Sequence, residues 1–362
     1  MARACSLQPE APVTEPTAPQ SPSVFARLRA LAVPPESRPG RRRLYRIAGI
    51  LVIALFAGLA ARNVDLREVG RSVAHARPGW LVLAALANVL SLAVHARRWG
   101  SLVAPPGGHV RFRDSFAAVV AGFAVGVVLP ARAGDLVRAH LLARRTRLST
   151  AETLASAGLD YVVGAATLVP LLALLAVVTP LPGWARDALL GFAAIAGAGA
   201  SAVFFLRPSR RARPERGAHG MVARLRAGLS AAHDPAALAA SVGWGLLGWG
   251  AELLIALFAL PAVGLPASLG AAGLAVIATT AANMIALSPG NTGPFELSVV
   301  LALSGLGVPR EPALAYALLF HLVHLVPVGV LGGIVLLREA RPAAPGGDSR
   351  GDGTAVEEET SR

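Results

Sequence analysis

Apolar runs of membrane-spanning length, separated by short segments that carry arginine, fill the chain from about residue 44 to about residue 337. A helix needs about 20 predominantly apolar residues to cross the hydrocarbon core of a bilayer. Runs of this kind cover 44–61, 79–95, 149–178, 188–206, 234–260 and 311–337, and they predict about six full spans. Helix-start signals support several of them. Ser149 and Glu152 have capping-box spacing, Asp234 precedes Pro235, and Glu311 precedes Pro312. Segment 63–77 has a different pattern. Val64, Leu66, Val69 and Val73 interleave with Asp65, Arg67, Glu68, Arg71 and Arg77, as expected of a helix lying along the outer interface.

Two further apolar runs are interrupted. Segment 115–145 breaks at Leu129-Pro130-Ala131-Arg132-Ala133-Gly134 and resumes with Asp135, Arg138 and His140. Segment 268–303 breaks at SPGNTGPFE, where Pro289 and Gly293 repeat the spacing of Pro130 and Gly134 and an acid, Glu296, again follows. Proline removes a backbone donor and glycine loosens the turn, so neither run forms one smooth helix. Backbone groups freed at membrane depth are tolerated only where protein or water covers them. Paired interruptions in corresponding positions of two halves point to a transporter-like binding site. The expected fold is an all-α polytopic membrane protein, with about six full spans and two re-entrant or broken-helix hairpins in an inverted repeat.

Charge sets the orientation. The chain is 54% hydrophobic and 15% charged, with a formal net charge of +13 carried by arginine alone, since it has no lysine. Absence of lysine excludes a P-loop lysine, a Schiff base and a pyridoxal phosphate site. In a soluble protein such a charge would suggest nucleic acid; here the positive-inside bias accounts for it, and no nucleic-acid partner is expected. Arginine concentrates in 38–46, 97–98, 144–147 and above all 207–226, which are read as cytoplasmic. The hairpins then enter from opposite faces of a multi-pass cell-membrane protein with both termini in the cytoplasm. Residues 1–43 read as a disordered basic tail, 44–337 as the transmembrane domain and 338–362 as a disordered polar tail. The single cysteine, Cys5, allows no intramolecular disulfide.

The breaks also carry the candidate chemistry. A half-helix starting inside the bilayer offers free N–H groups and the positive end of its dipole, which suits an anion. Arg132 and Arg138 flank the first such start, and a guanidinium matches a phosphate. The competing reading is that Asp135 and Glu296 merely cap these helices and that Arg132 pairs with a carboxylate. Other polar groups in the spans are Asn88, His95, Asp160, Glu252, Asn283, His321 and His324. Ionisable residues there face the bundle interior by default. Asp160 and Glu252 are candidates to pair with Arg132 or Arg138. His321 and His324 share one helix face and suit a proton relay or a phosphate contact, against a plain structural hydrogen bond. No metal-binding array, cofactor motif or catalytic residue is expected. Arg98 and Trp99, after the second span, read as an interfacial anchor.

The stretch PARAGDLVRAHLL, with Pro130, Gly134, Asp135 and Arg138, resembles the first motif of the lysylphosphatidylglycerol synthase transmembrane region, or flippase-like membrane proteins. SPGNTGPFE, with Pro289, Gly293 and Glu296, resembles the second, and the Arg98–Trp99 pair also fits. Family members often carry glutamate where this chain has Asp135. The resemblance implies translocation of an anionic phospholipid or polyprenyl-linked lipid between leaflets. Arg132, Gly134, Asp135, Arg138, Gly293, Glu296, His321 and His324 would then meet the headgroup, with Pro130 and Pro289 as structural breaks. Full-length synthases add an aminoacyl-transferase domain; only a short polar tail follows Leu337 here, so lysyl transfer and a tRNA partner are not expected. The alternative is a non-transport accessory or catalytic component of lipid or glycan modification. Expected partners are membrane lipids, with a partner enzyme or a second copy of the chain as further options.

Overall fold

A computed structural model of the chain describes residues 39–62, 64–103, 108–129, 133–178, 182–205, 218–285 and 288–340. Among these residues there are twelve α-helices and no strand. They are α1 (Pro39–Ala60), α2 (Leu66–Ala74), α3 (Pro78–Ser101), α4 (Phe112–Val128), α5 (Ala133–Thr146), α6 (Thr150–Val178), α7 (Gly183–Phe205), α8 (Ala218–Gly228), α9 (Pro235–Ala262), α10 (Leu269–Ile285), α11 (Pro294–Ser304) and α12 (Arg310–Ala340). Short 3-10 turns cover Ser230–His233 and Pro289–Asn291. Pro130 and Arg132, at the first break, lie outside the described residues.

Four helices, α3, α6, α9 and α12, are long and apolar enough to cross a membrane. Segments 44–61 and 188–206, expected as two further spans, are helical in α1 and α7, though some of their side chains lie outside the described residues. The four long helices have 24 to 31 residues, or roughly 36–46 Å at 1.5 Å per residue. The arms of the two interrupted segments are much shorter. α4, α5, α10 and α11 have 17, 14, 17 and 11 residues. At roughly 17–26 Å, each falls short of a hydrocarbon core about 30 Å thick.

The sequence signals at helix starts act locally as expected. Ser149 N–H donates to Glu152 Oε2 at 2.6 Å while Glu152 N–H donates to Ser149 Oγ at 3.2 Å. Asp234 accepts from Ala236 N–H at 3.0 Å, ahead of Pro235. Asp65 caps α2, whose Val69 is buried while its charged residues are exposed.

Side-chain placement fits a lipid solvent. On α3, small and polar residues (Ala84, Ala87, Asn88, Ser91) are buried, whereas Leu83, Leu86 and Leu90 are exposed. Small residues at helix contacts allow close backbone approach, and polar groups turn inward because hydrocarbon cannot solvate them. The main apolar core joins Ile255 and Leu260 of α9, Val276 of α10, Val299 and Leu303 of α11, and Tyr316 and Phe320 of α12. Tyr316 O–H donates to the Ala256 carbonyl at 3.0 Å. At one rim, Arg145 of α5 pairs with Asp114 of α4 at 3.0 Å and with Glu339 of α12.

Two glycines close the first hairpin. A Cβ on Gly134 would lie 2.2 Å from the Gly122 carbonyl oxygen, and one on Gly122 would lie 2.6 Å from Arg138 Cβ. The α4 and α5 backbones therefore touch. Gly126, one turn along α4, has open space at its Cβ position. Overpacking a tight contact costs about 1–3 kcal/mol or more. Gly134→Ala is expected to lose at least that much stability, read as a lower melting temperature in detergent, while Gly126→Ala melts at or above the parent.

Candidate functional site

A cavity of about 560 Å³ lies between the helices. Both breaks reach it. Leu129, Gly134 and Asp135 line it from the first, and Ser288, Gly290 and Asn291 from the second. The second tip also packs on α4, since a Cβ on Gly290 would lie 3.5 Å from the Val127 carbonyl oxygen. Gly290 and Asn291 both have positive φ, 58° and 55°, a left-handed turn that glycine and asparagine tolerate best. Asn291 Nδ2 donates to Asn283 Oδ1 at 2.8 Å, which fixes the turn against α10.

One wall holds a buried ionic cluster centred on Asp160 of α6, whose side chain is fully buried. Arg98 Nε donates to Asp160 Oδ1 at 2.7 Å. Arg138 Nη1 donates to Oδ2 at 3.5 Å. His95 Nε2 lies 3.2 Å from Oδ2. Arg98 Nη2 stands 3.3 Å from His95 Nδ1. A guanidinium only donates, so Nδ1 faces a donor, while Nε2 stands between Asp160 Oδ2 and Arg138 Nη1, the latter at 3.4 Å. Arg138 lies over the rings of Trp99 and Tyr161, 4.9 and 5.3 Å from their centroids. Its Nε is 3.0 Å from Asp135 Oδ1, yet neither Nε nor Nη2 has an aligned acceptor among the described residues. Tyr161 O–H donates to Asp135, 2.9 Å from each carboxylate oxygen. His95, Arg98 and Asp135 face the cavity, with Arg138 and Asp160 behind them.

Another part of the lining holds two His–Glu pairs. His321 Nδ1 lies 2.6 Å from Glu296 Oε1, and its Nε2 is 3.0 Å from the Gly290 carbonyl oxygen. Glu296 Oε2 accepts Gly293 N–H at 2.6 Å and so caps α11. His324 Nε2 lies 3.1 Å from Glu252 Oε2, and its Nδ1 is 2.8 Å from the Phe320 carbonyl oxygen. Ser91 O–H donates to Glu252 Oε1 at 2.6 Å. Phe295 stacks on His321 with centroids 4.2 Å apart and fixes its ring plane.

These placements sort the expected residues. Gly134, Asp135 and Arg138 gather on the Asp160 side, and Gly293, Glu296, His321 and His324 on the other. Arg132 is outside the described residues. Asp160 pairs with Arg138, one of the expected pairings, but Glu252 meets His324 and Ser91 instead of an arginine. Arg98 and Trp99, expected as an interfacial anchor, turn their side chains into the protein. α3 runs on to Ser101, Arg98 is 7% exposed and Trp99 fully buried, with Trp99 Nε1–H donating to Ser156 at 3.2 Å. The buried Asp160 carboxylate draws Arg98 inward, while its neighbour Arg97 is exposed and stacks on Phe112. Ser91 was not picked out from sequence. Its signal was there: Asn88, Ser91, His95 and Arg98 form a polar stripe at helical spacing on an otherwise apolar helix.

The model of the lysylphosphatidylglycerol synthase TM region matches residues 46–332, most of the chain. The chain belongs to this family. No curated protein matches it. Family membership and the apolar helices together make it an integral membrane protein. The matched region contains every residue of the Asp160 cluster and of both His–Glu pairs.

Removing one partner of a buried ion pair typically costs about 3–5 kcal/mol, because the other charge is left unpaired. Asp160→Ala is expected to destabilise the protein on that scale. Arg98→Ala/Asp160→Ala should cost clearly less than the sum of the single changes, in a double-mutant cycle on detergent melting curves.

Proposed function

We propose that the protein carries the phosphate-bearing headgroup of an anionic phospholipid or polyprenyl-linked lipid between leaflets, through the cavity, while the acyl or prenyl tails stay in the bilayer. The convergence of both broken segments on one cavity beside a guanidinium pair carries this reading. The volume, about 560 Å³, lies within the roughly 300–1,000 Å³ usual for small-ligand sites and suits a headgroup. Each guanidinium has five N–H donors, so Arg98 and Arg138 offer more donors than Asp135 and Asp160 occupy. The unaligned Nε and Nη2 of Arg138 are the sign of that surplus. An incoming phosphate would meet Arg98, which faces the cavity, while Arg138 behind it holds Asp135 and Asp160.

In this reading the short arms of each interrupted segment form re-entrant hairpins that enter from opposite faces, about six helices cross fully, and both termini are cytoplasmic. Gly134, Asp135, Arg138, Gly293, Glu296, His321 and His324 shape the headgroup site, and Arg98 joins them. The exposed Leu83, Leu86 and Leu90 of α3 keep the outer surface compatible with lipid.

Reconstitution tests the proposal. Vesicles holding the protein should move a fluorescent phosphate-headed lipid from the inner to the outer leaflet well above protein-free vesicles. Arg98→Lys keeps the charge facing Asp160 but loses the planar fork. A charged hydrogen bond is worth about 1.5–3 kcal/mol, so transport should fall about tenfold or more, and the melting temperature should fall less than in Asp160→Ala because a positive charge still faces Asp160. Exchange no faster than in empty vesicles, for every anionic lipid tried, would overturn the reading.

A further inference from the structure

We infer that each of the two His–Glu pairs binds a proton, and that protons move together with the anionic headgroup. The inference rests on the transport reading above and adds the coupling ion to it.

The argument is one of donors and acceptors. His321 Nε2 faces the Gly290 carbonyl at 3.0 Å, and His324 Nδ1 faces the Phe320 carbonyl at 2.8 Å. A carbonyl oxygen has no proton to give, so each of these ring nitrogens carries one. The second nitrogen of each ring faces a carboxylate oxygen, Glu296 at 2.6 Å and Glu252 at 3.1 Å. Two lone pairs do not bond at these distances without a proton between them. Each pair therefore holds one proton beyond a neutral imidazole and a carboxylate. The remaining carboxylate oxygens are already taken, by Gly293 N–H and Ser91 O–H. With its proton each pair has zero net charge; without it, each carries −1.

The charge change acts on the cavity directly, because His321, His324 and Glu252 line it. A negative pair repels a phosphate, and a neutral pair admits it. Linkage makes this reciprocal, so a bound anion tightens the hold on the proton. Geometry changes as well. An imidazole with a single N–H cannot serve both Glu296 and Gly290, so loss of the proton frees either the carboxylate or the left-handed tip of the second break. Other ionisable groups facing the cavity have their own partners. His95 on α3 is held by Asp160 of α6 and by Arg98, and Asp135 of α5 by Tyr161 and Arg138. Among the described residues, α4, α7 and α10 present no ionisable side chain to the cavity. The charges of α2, which packs on α12, are exposed, away from the pairs.

The test uses phosphatidylcholine vesicles containing the full chain and a trace of fluorescent phosphatidylglycerol, whose phosphodiester has no ionisation near neutral pH that would trap it on the alkaline side. Headgroup and proton moving together should concentrate the tracer in the leaflet facing the more alkaline side. One pH unit supports about a tenfold leaflet ratio per proton carried. Glu252→Gln/Glu296→Gln should abolish that ratio. If the parent exchanges tracer but the ratio stays at one under every gradient, coupling is overturned and lipid transport stands. If no exchange occurs, the transport reading fails, and the proton sites are judged separately in protein held in lipid nanodiscs. There, ¹⁵N spectra of His321 and His324 with both ring nitrogens protonated, or a carboxylic-acid infrared band lost in Glu296→Gln or Glu252→Gln, support them. Singly protonated rings beside ionised glutamates overturn them.

Discussion

The Asp160 carboxylate is the contact on which the arrangement of the helices depends. It has no exposed surface, so its charge is tolerable only with good partners. Arg98 and His95 reach it from α3 and Arg138 from α5, and these constraints fix the rotation of both helices against α6. Once α3 is turned so that Arg98 meets Asp160, helical spacing brings Ser91, two turns back on the same face, to Glu252. One buried acid thereby sets the positions of polar groups in both parts of the lining.

The two interrupted segments share proline–glycine spacing and reach the same cavity, but they are built differently. In the first, two helices fold back until the Gly122 and Gly134 backbones touch, a contact that any side chain at either position would block. In the second, a left-handed Gly290–Asn291 turn and the Glu296 cap form the tip, and His321 holds the Gly290 carbonyl. Gly293, with φ of +94° and Phe56 against its Cβ position, is required by its backbone conformation. The same sequence signal of a broken apolar run thus covers one hairpin closed by backbone contact and another held by a hydrogen-bonded turn.

What was legible in the sequence was local. The breaks, the Ser149–Glu152 box, the Asp234 cap and the amphipathic α2 are set by residues within a few positions of one another, and the structure has each of them. Long-range pairing was not legible. Arg98 meets an acid 62 positions away, and Glu252 meets His324 72 positions away. An arginine–tryptophan pair after an apolar run matches the composition of a headgroup anchor equally well, and only the location of Asp160 distinguishes the two. Charge count alone also left Glu252 open to an arginine partner. Tertiary packing instead placed it beside a histidine that already donates to its own helix backbone.

The α3 stripe joins the Asp160 cluster to the Glu252–His324 pair mechanically as well as electrostatically. His95 and Ser91 are one turn apart, so one face of a rigid helix carries a contact to Asp160 and a contact to Glu252. A rotation of α3 that withdraws one side chain withdraws the other. An anion that competes for Arg98 pulls on the same helix whose Ser91 hydroxyl satisfies Glu252. Loss of that hydroxyl would leave a Glu252 carboxylate oxygen without its hydrogen bond. In the proposed transport reading, headgroup contact at Arg98 and the proton of the Glu252–His324 pair would be connected through this one helix.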